Sequence, residues 1–293
     1  MNLCKAIGVS RSGYYKWLDR EPSEEEIIND CLSVEIKRIY DESDATFGVE
    51  RVTLAINREL NIGVSPKRVR RLMRILGISS VIRRKRLNYV KSTPEHIYEN
   101  MLDRNFVATK PNEKWFTDVT YLKFGNNTKA YLSAIIDTYD QSIVAWKIGR
   151  HNDNELVRET IEEAFQVNPE TRPYIQTDRG SQYTSGMYRE LSLKHKFEIS
   201  MSRVSKCLDN QPIESFWGTL KSEYYYRNKF DNFDSLVNGI EGYISHYMHK
   251  RYVKKFDGLT PMEFKGISCI KKQQLTLLKQ IRKLFLFFST PVS

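Results

Sequence analysis

The sequence predicts a mixed α/β core preceded by a basic helical region, and three observations carry that expectation. Apolar residues recur at helical spacing in the first hundred residues and give way to strand-like runs rich in β-branched and aromatic residues from about residue 113. The later segments follow the order βββαβαβα, which implies a mixed five-stranded sheet flanked by helices. The formal charge is +10 in a chain that is 40% hydrophobic, a surplus suited to meeting polyanions, nucleic acid first. At 293 residues there is room for two domains, or for one with appendages.

In the first region, IGVSRSGYYKWLDR (7–20) has a Ser/Gly turn between apolar residues, as a small helix-turn-helix fragment would. Ser65 as N-cap, Pro66 at the first helical position and Val69, Leu72, Met73 and Leu76 at helical spacing predict a helix over 66–76, closed by Gly77. Ten basic residues and no acidic one lie between Lys67 and Lys91, among them Arg70, Arg71, Arg74, Arg83, Arg84, Lys85 and Arg86. A solvated helix face normally mixes both signs, so these side chains are expected to contact phosphate. Residues 1–91 therefore form the helical basic region, and the polar stretch 92–112, with Pro94 and Pro111, reads as a linker.

The core is expected over 113–230. Residues 115–124, 129–140 and 142–150 read as three antiparallel strands joined by short turns, and 152–166 as a helix with an Asx cap. A strand ending at Asp178, a helix over about 185–195, a short strand over 197–202 and a long helix from about Pro212 to Asn228 complete it. That order is the one expected of a ribonuclease-H-like fold. Residues 231–293 are expected to form a helical tail. The four cysteines (Cys4, Cys31, Cys207, Cys269) lie far apart, which excludes a zinc-spaced Cys/His cluster and predicts buried free thiols in a reducing compartment. No signal-peptide pattern and no run of about 18 apolar residues occurs, so a cytoplasmic protein without a membrane span is expected.

Three acids stand out. Asp178 closes a strand in YIQTDRGSQYTS, Asp118 in WFTDVTY faces away from Thr117 and Val119, and Glu214 stands in the first turn of the long helix. Singly, they are explained by a turn, a strand edge and a helix start. Together, two aspartates on adjacent strands and a glutamate on a helix packed over them can converge, and three close carboxylates need divalent cations to offset their repulsion. Oxygen-only ligands favour Mg²⁺ or Mn²⁺, and two such ions form a clamp for phosphodiester displacement. Lys221 follows Glu214 by two helical turns on the same face and is the candidate for a phosphate contact beside it.

The set WFTDVTY, QTDRGSQY and DNQPIESFWGTLKSE, with thirty-five residues between Asp178 and Glu214, closely resembles the catalytic core of bacterial insertion-sequence DDE transposases of the OrfB type, relatives of retroviral integrase. FGVERVTLAINRELNIGVSPKRVRRLMRILGI is similar to the helical region before that core, and YISHYMHKRYVKKFDGLTPMEF to the tail motif, so the resemblance covers about residues 3–266. It implies that Asp118, Asp178 and Glu214 are the catalytic metal ligands, and that Arg179, Gln182 and Tyr183 line the DNA channel. It also implies cleavage at the element's ends by water, then attack of the freed 3′-hydroxyl on another phosphate. The implied partners are DNA at terminal inverted repeats and target sites, further copies of the chain on that DNA, and an upstream-frame helix-turn-helix protein or frameshift fusion, all in the cytoplasm at the nucleoid. Val204 and Ser205 stand where the family has a glycine-bearing basic loop, and Met248 where asparagine is typical. Two other readings are a catalytically inactive DNA-binding regulator or degenerate copy, and a structure-selective nuclease; the latter needs neither the basic region nor the tail motif.

Overall fold

The computed structural model describes residues 8–82, 106–202, 207–268 and 270. Arg83, Arg84, Lys85 and Arg86, most of the segment 92–112, the loop 203–206 and the stretch from 271 lie outside the described residues. The chain divides into two compact units, at residues 81 and 82.

The first unit holds α1 (Arg11–Leu18), α2 (Glu24–Glu42), α3 (Val49–Glu59) and α4 (Pro66–Ile75). A reciprocal Ser23/Glu26 capping box starts α2. At α4 the Ser65 hydroxyl accepts from the Arg68 N–H, Pro66 occupies the first turn and Gly77 takes φ +68°, as the spacing predicts. Ile36, Val52, Ala55, Ile56, Val69, Leu72 and Met73 are buried where α2, α3 and α4 meet, while Arg70, Arg71 and Arg74 stay exposed on α4. The packed helix pair is thus α3–α4, joined by residues 60–65. The 7–20 segment instead forms α1, which has no buried residue because nothing among the described residues covers its aromatic side chains. Cys31 is an exposed free thiol rather than a buried one, since the buried stripe of α2 runs one position away through Leu32, Ile36 and Ile39.

The second unit is built on β1 (Lys114–Phe124), β2 (Thr128–Asp137), β3 (Ile143–Gly149), β4 (Tyr174–Thr177) and β5 (Glu198–Met201), in the order β3-β2-β1-β4-β5. β1 pairs antiparallel with β2 and β2 with β3, whereas β4 is parallel to β1 and β5 to β4. This is the mixed sheet of a ribonuclease-H-like core. Strand alternation splits its apolar residues between two cores. Trp115, Ile135, Ala145 and Ile175 pack on one face with Val157, Ile161 and Phe165 of α5 (Asn154–Val167) and Tyr188 and Leu191 of α6 (Gly186–His195). Phe116, Leu122, Leu132, Ala134 and Ile136 pack on the other with Ile213, Phe216 and Leu220 of α7 (Gln211–Glu223) and Leu236, Ile240 and Tyr243 of α8 (Phe233–His249).

Two differences from the expected elements follow from packing. The long helix stops at Glu223, short of Asn228, because Tyr224 stacks on Tyr243 and the next tyrosine turns to β1: the Tyr225 hydroxyl accepts from the Lys123 N–H at 2.6 Å and donates to the Lys123 carbonyl at 3.1 Å. Residues from 231, expected to open a tail, contribute α8 to the core because its apolar stripe is buried against the sheet. Met248, where asparagine was typical, accepts the Ile143 N–H on its sulfur at 3.1 Å. Among the described residues, no helix is long and apolar enough to cross a membrane.

Candidate active site

Asp118 lies on the α7 face of β1, one residue past Thr117, whose hydroxyl points into the opposite core. The register that pairs Phe116 with Gln176 places Asp178 beside it when continued two residues, just where β4 ends. Asp178 is held at that rim by its own turn, because the Gly180 N–H donates to its Oδ1 at 2.8 Å. A Cβ on Gly180 would stand 3.1 Å from that same oxygen and 2.9 Å from Gln182 Oε1. Glycine therefore serves close approach here.

α7 brings the third acid. Its N-cap, Asn210, makes no side-chain cap and instead donates from Nδ2 to the Thr117 carbonyl at 3.3 Å, tying the helix start to β1. Ile213, Phe216 and Leu220 are buried beneath the helix, so Glu214, Trp217 and Lys221 form a separate stripe at i, i+3 and i+7. That stripe meets β1. Trp217 Nε1 donates to Asp118 Oδ2 at 3.0 Å, and Lys221 Nζ donates to Thr120 Oγ1 at 2.7 Å. Trp217 and Thr120 escaped the sequence reading, although Thr120 shares the strand face of Asp118 and Trp217 the helix face of Glu214.

The electrostatics show that the acids feel one another. Burial, then the neighbouring Asp178 charge, pushes Asp118 up to about 7, against the Trp217 hydrogen bond, with a further upward push from Glu214. Burial and then Asp178 raise Glu214, and burial raises Asp178, which stands exposed at the rim but with protein packed around its base. Lys221 is lowered by burial and supported by Asp118. Among the described residues no three His, Cys, Asp or Glu side chains close into a metal-ligating group. The donor chemistry nevertheless fits a divalent cation, since the Asp178 charge raises both Asp118 and Glu214, Glu214 raises Asp118 further, and a cation would offset that repulsion.

The other predicted contacts divide. Arg179 is half-buried and donates from Nε to the Ser202 carbonyl at 2.7 Å, with its Nη1 buried and unpartnered. Gln182, 7% exposed, spends its amide on the Asn152 side chain at 2.7 Å. Tyr183 is 2% exposed, stands edge-on to Tyr188, and its hydroxyl meets Thr117 Oγ1 at 3.3 Å. Neither Gln182 nor Tyr183 is placed to line a channel: the turn after Gly180 sends Tyr183 into the α5–α6 core against Thr117 of β1, and Gln182 onto Asn152.

Comparison with known proteins now bears on this arrangement. Integrase core domain families match residues 108–207 and 214–268, and an HTH-like domain family matches residues 28–86. InsK of insertion sequence element IS150 from Escherichia coli (strain K12) is 34% identical over 265 residues, 90% of this chain and 92% of that protein. The transposase for insertion sequence element IS904 from Lactococcus lactis is 30% identical over 250 residues, 84% of this chain and 98% of that protein. Among solved structures, the HTLV-2 integrase catalytic core domain in complex with magnesium aligns with 54% of this chain and 99% of its own, at 17% identity and a TM-score of 0.45. The chain belongs to the insertion-sequence transposases with an integrase core domain, and it is a polynucleotidyl transferase of the DDE type.

Proposed function

We propose that Asp118, Asp178 and Glu214 hold two Mg²⁺ or Mn²⁺ ions, and that with them the chain cuts a phosphodiester at each end of its insertion sequence and joins the freed 3′-hydroxyl to target DNA. The observation that carries this reading is the meeting of two stripes, Glu214, Trp217 and Lys221 on α7 with Asp118 and Thr120 on β1, beside Asp178. Bound divalent cations would supply Lewis-acid activation of the attacking oxygen and charge for the leaving one.

The chain's own residues prepare the rest. Trp217 occupies Oδ2 of Asp118 and so fixes the plane of its carboxylate. Lys221, held by Thr120, presents a half-buried ammonium to a phosphate beside the acids. The exposed Arg70, Arg71 and Arg74 of α4 bind the DNA backbone in the terminal inverted repeat, joined by Arg83, Arg84, Lys85 and Arg86. The working division is residues 1–91 for end binding, 92–112 as linker, and a catalytic core over 113–230 continued by the C-terminal region. Several copies assemble on DNA at the nucleoid, with an upstream-frame helix-turn-helix protein or frameshift fusion supplying further end recognition.

The test is nicking and strand transfer on a labelled duplex carrying the element's terminal repeat, comparing the parent chain with Glu214→Gln. Loss of both products with DNA binding retained is expected, by at least about a hundredfold. Equal activity in the two proteins would remove Glu214 from the site, and binding without cutting by the parent would favour the inactive regulator.

A further inference from the structure

The sheet edge beside the acids carries an aromatic ring that the reaction as described does not use. Tyr121 is 53% exposed on β1, three residues past Asp118. β4 pairs only with Lys114, Trp115 and Phe116, so among the described residues no strand covers that edge of β1 beyond Asp118. The edge is closed again at Lys123, whose N–H and carbonyl are both taken by the Tyr225 hydroxyl. Tyr121 therefore stands along β1 between Asp118 and this closure, with its side chain on the strand face opposite that of Asp118 and Thr120. Two cations attend it: Lys129 Nζ lies 5.4 Å and Lys221 Nζ 5.5 Å from the ring centroid. Lys221 is the same ammonium that Thr120 holds beside Asp118, so ring and acids share one neighbour.

We propose that Tyr121 is a stacking platform for one unpaired base of the DNA strand entering the site, with Lys129 and Lys221 neutralising the phosphates on either side of that base. The occupant follows from charge and distance. A bare aromatic patch would suit many partners, but one flanked by lysines beside a phosphodiester-cutting site suits a polyanion with flat bases, and stacking tolerates any of them. Three residues of strand span about 10 Å, the length of about three stacked nucleotides. The base on Tyr121 thus lies within about three nucleotides of the scissile phosphate, where the duplex must be frayed for its strand to reach the acids.

This inference rests on the transposase reading of the site, and the experiment separates the two. The full chain is mixed with end duplexes carrying 2-aminopurine at each of the first three positions next to the scissile phosphate, and its fluorescence and duplex affinity are measured. The parent, Tyr121→Phe, Tyr121→Ala and Glu214→Gln are compared. Quenching at one position by the parent, Tyr121→Phe and Glu214→Gln, lost in Tyr121→Ala together with about tenfold or more in affinity, is the expected result. A Tyr121→Ala protein with parental melting temperature, quenching and affinity would overturn the platform while leaving the catalytic reading intact. Cutting by Glu214→Gln at the parental rate would sink the catalytic assignment while the quenching still supported the platform. A parent chain that binds no end duplex would overturn both.

Discussion

Asp118 shows how much one side chain depends on what surrounds it. Burial and the Asp178 charge push it up, and Trp217 holds it in place. Asp137 obeys the same physics at the other end of the sheet. It is fully buried, accepts the N–H groups of Asn112 at 2.7 Å and Tyr139 at 2.9 Å, and is pushed up to about 7 by burial and then by Asp140, with Lys265 opposing. Its folded value lies above the ordinary 3.8, so its contribution to stability is complete below about pH 4 and is lost as the pH rises through about 7. The urea midpoint of the parent should therefore fall more between pH 4 and 7.5 than that of Asp137→Asn, and parallel curves would contradict this. In the sequence Asp137 and Asp140 are simply two acids at the turn that follows the second strand. Their burial was illegible there, because it depends on Asn112 and residues 261–268 closing over the turn.

At the scale of elements, α7 is fastened at both ends. Asn210 ties its start to β1, and at its end Glu223, 5% exposed, accepts from Arg251 Nε at 3.0 Å and from the Tyr243 hydroxyl at 3.0 Å. A buried pair of this kind costs more to break than to omit. Arg251→Ala, leaving Glu223 charged and buried, should lose about 3 to 5 kcal/mol in urea unfolding. Replacing the group together (Glu223→Leu, Tyr243→Phe, Arg251→Met) should recover most of that loss, and a triple variant no better than the single one would show that the network itself supplies net stability. The helix and its first-turn acid were legible in Pro212 and in the spacing of the residues around Glu214. The fastening was not, since Glu223 and Arg251 are 28 positions apart and meet only because α8 packs on the sheet.

For the whole molecule the decisive quantity is charge. A surplus of +10 accompanies the three acids of the proposed site, so most of the affinity for DNA is expected from positive surface outside it. Arg70, Arg71 and Arg74 are exposed on α4, and the 3.9 Å pairing of Arg71 with Glu25 is too solvated to withhold it from a phosphate. Replacing all three by glutamine should lower the slope of log affinity against log salt by up to about 2.7, at about 0.9 per phosphate, for end and unrelated duplexes alike. An unchanged slope would remove this helix from the DNA interface. The order of the core elements from β1 to α7, the start of α4 and the positions of Asp118, Asp178 and Glu214 on their elements were set by the sequence alone, because capping, periodicity and turn residues act over a few positions. The tertiary structure alone decided that Trp217 reaches Asp118, that Lys221 reaches Thr120, that Tyr183 turns inward and that α8 joins the core. Those contacts join residues 66 to 101 positions apart for the named side-chain pairs, and strand register and helix facing select them, which no local pattern encodes.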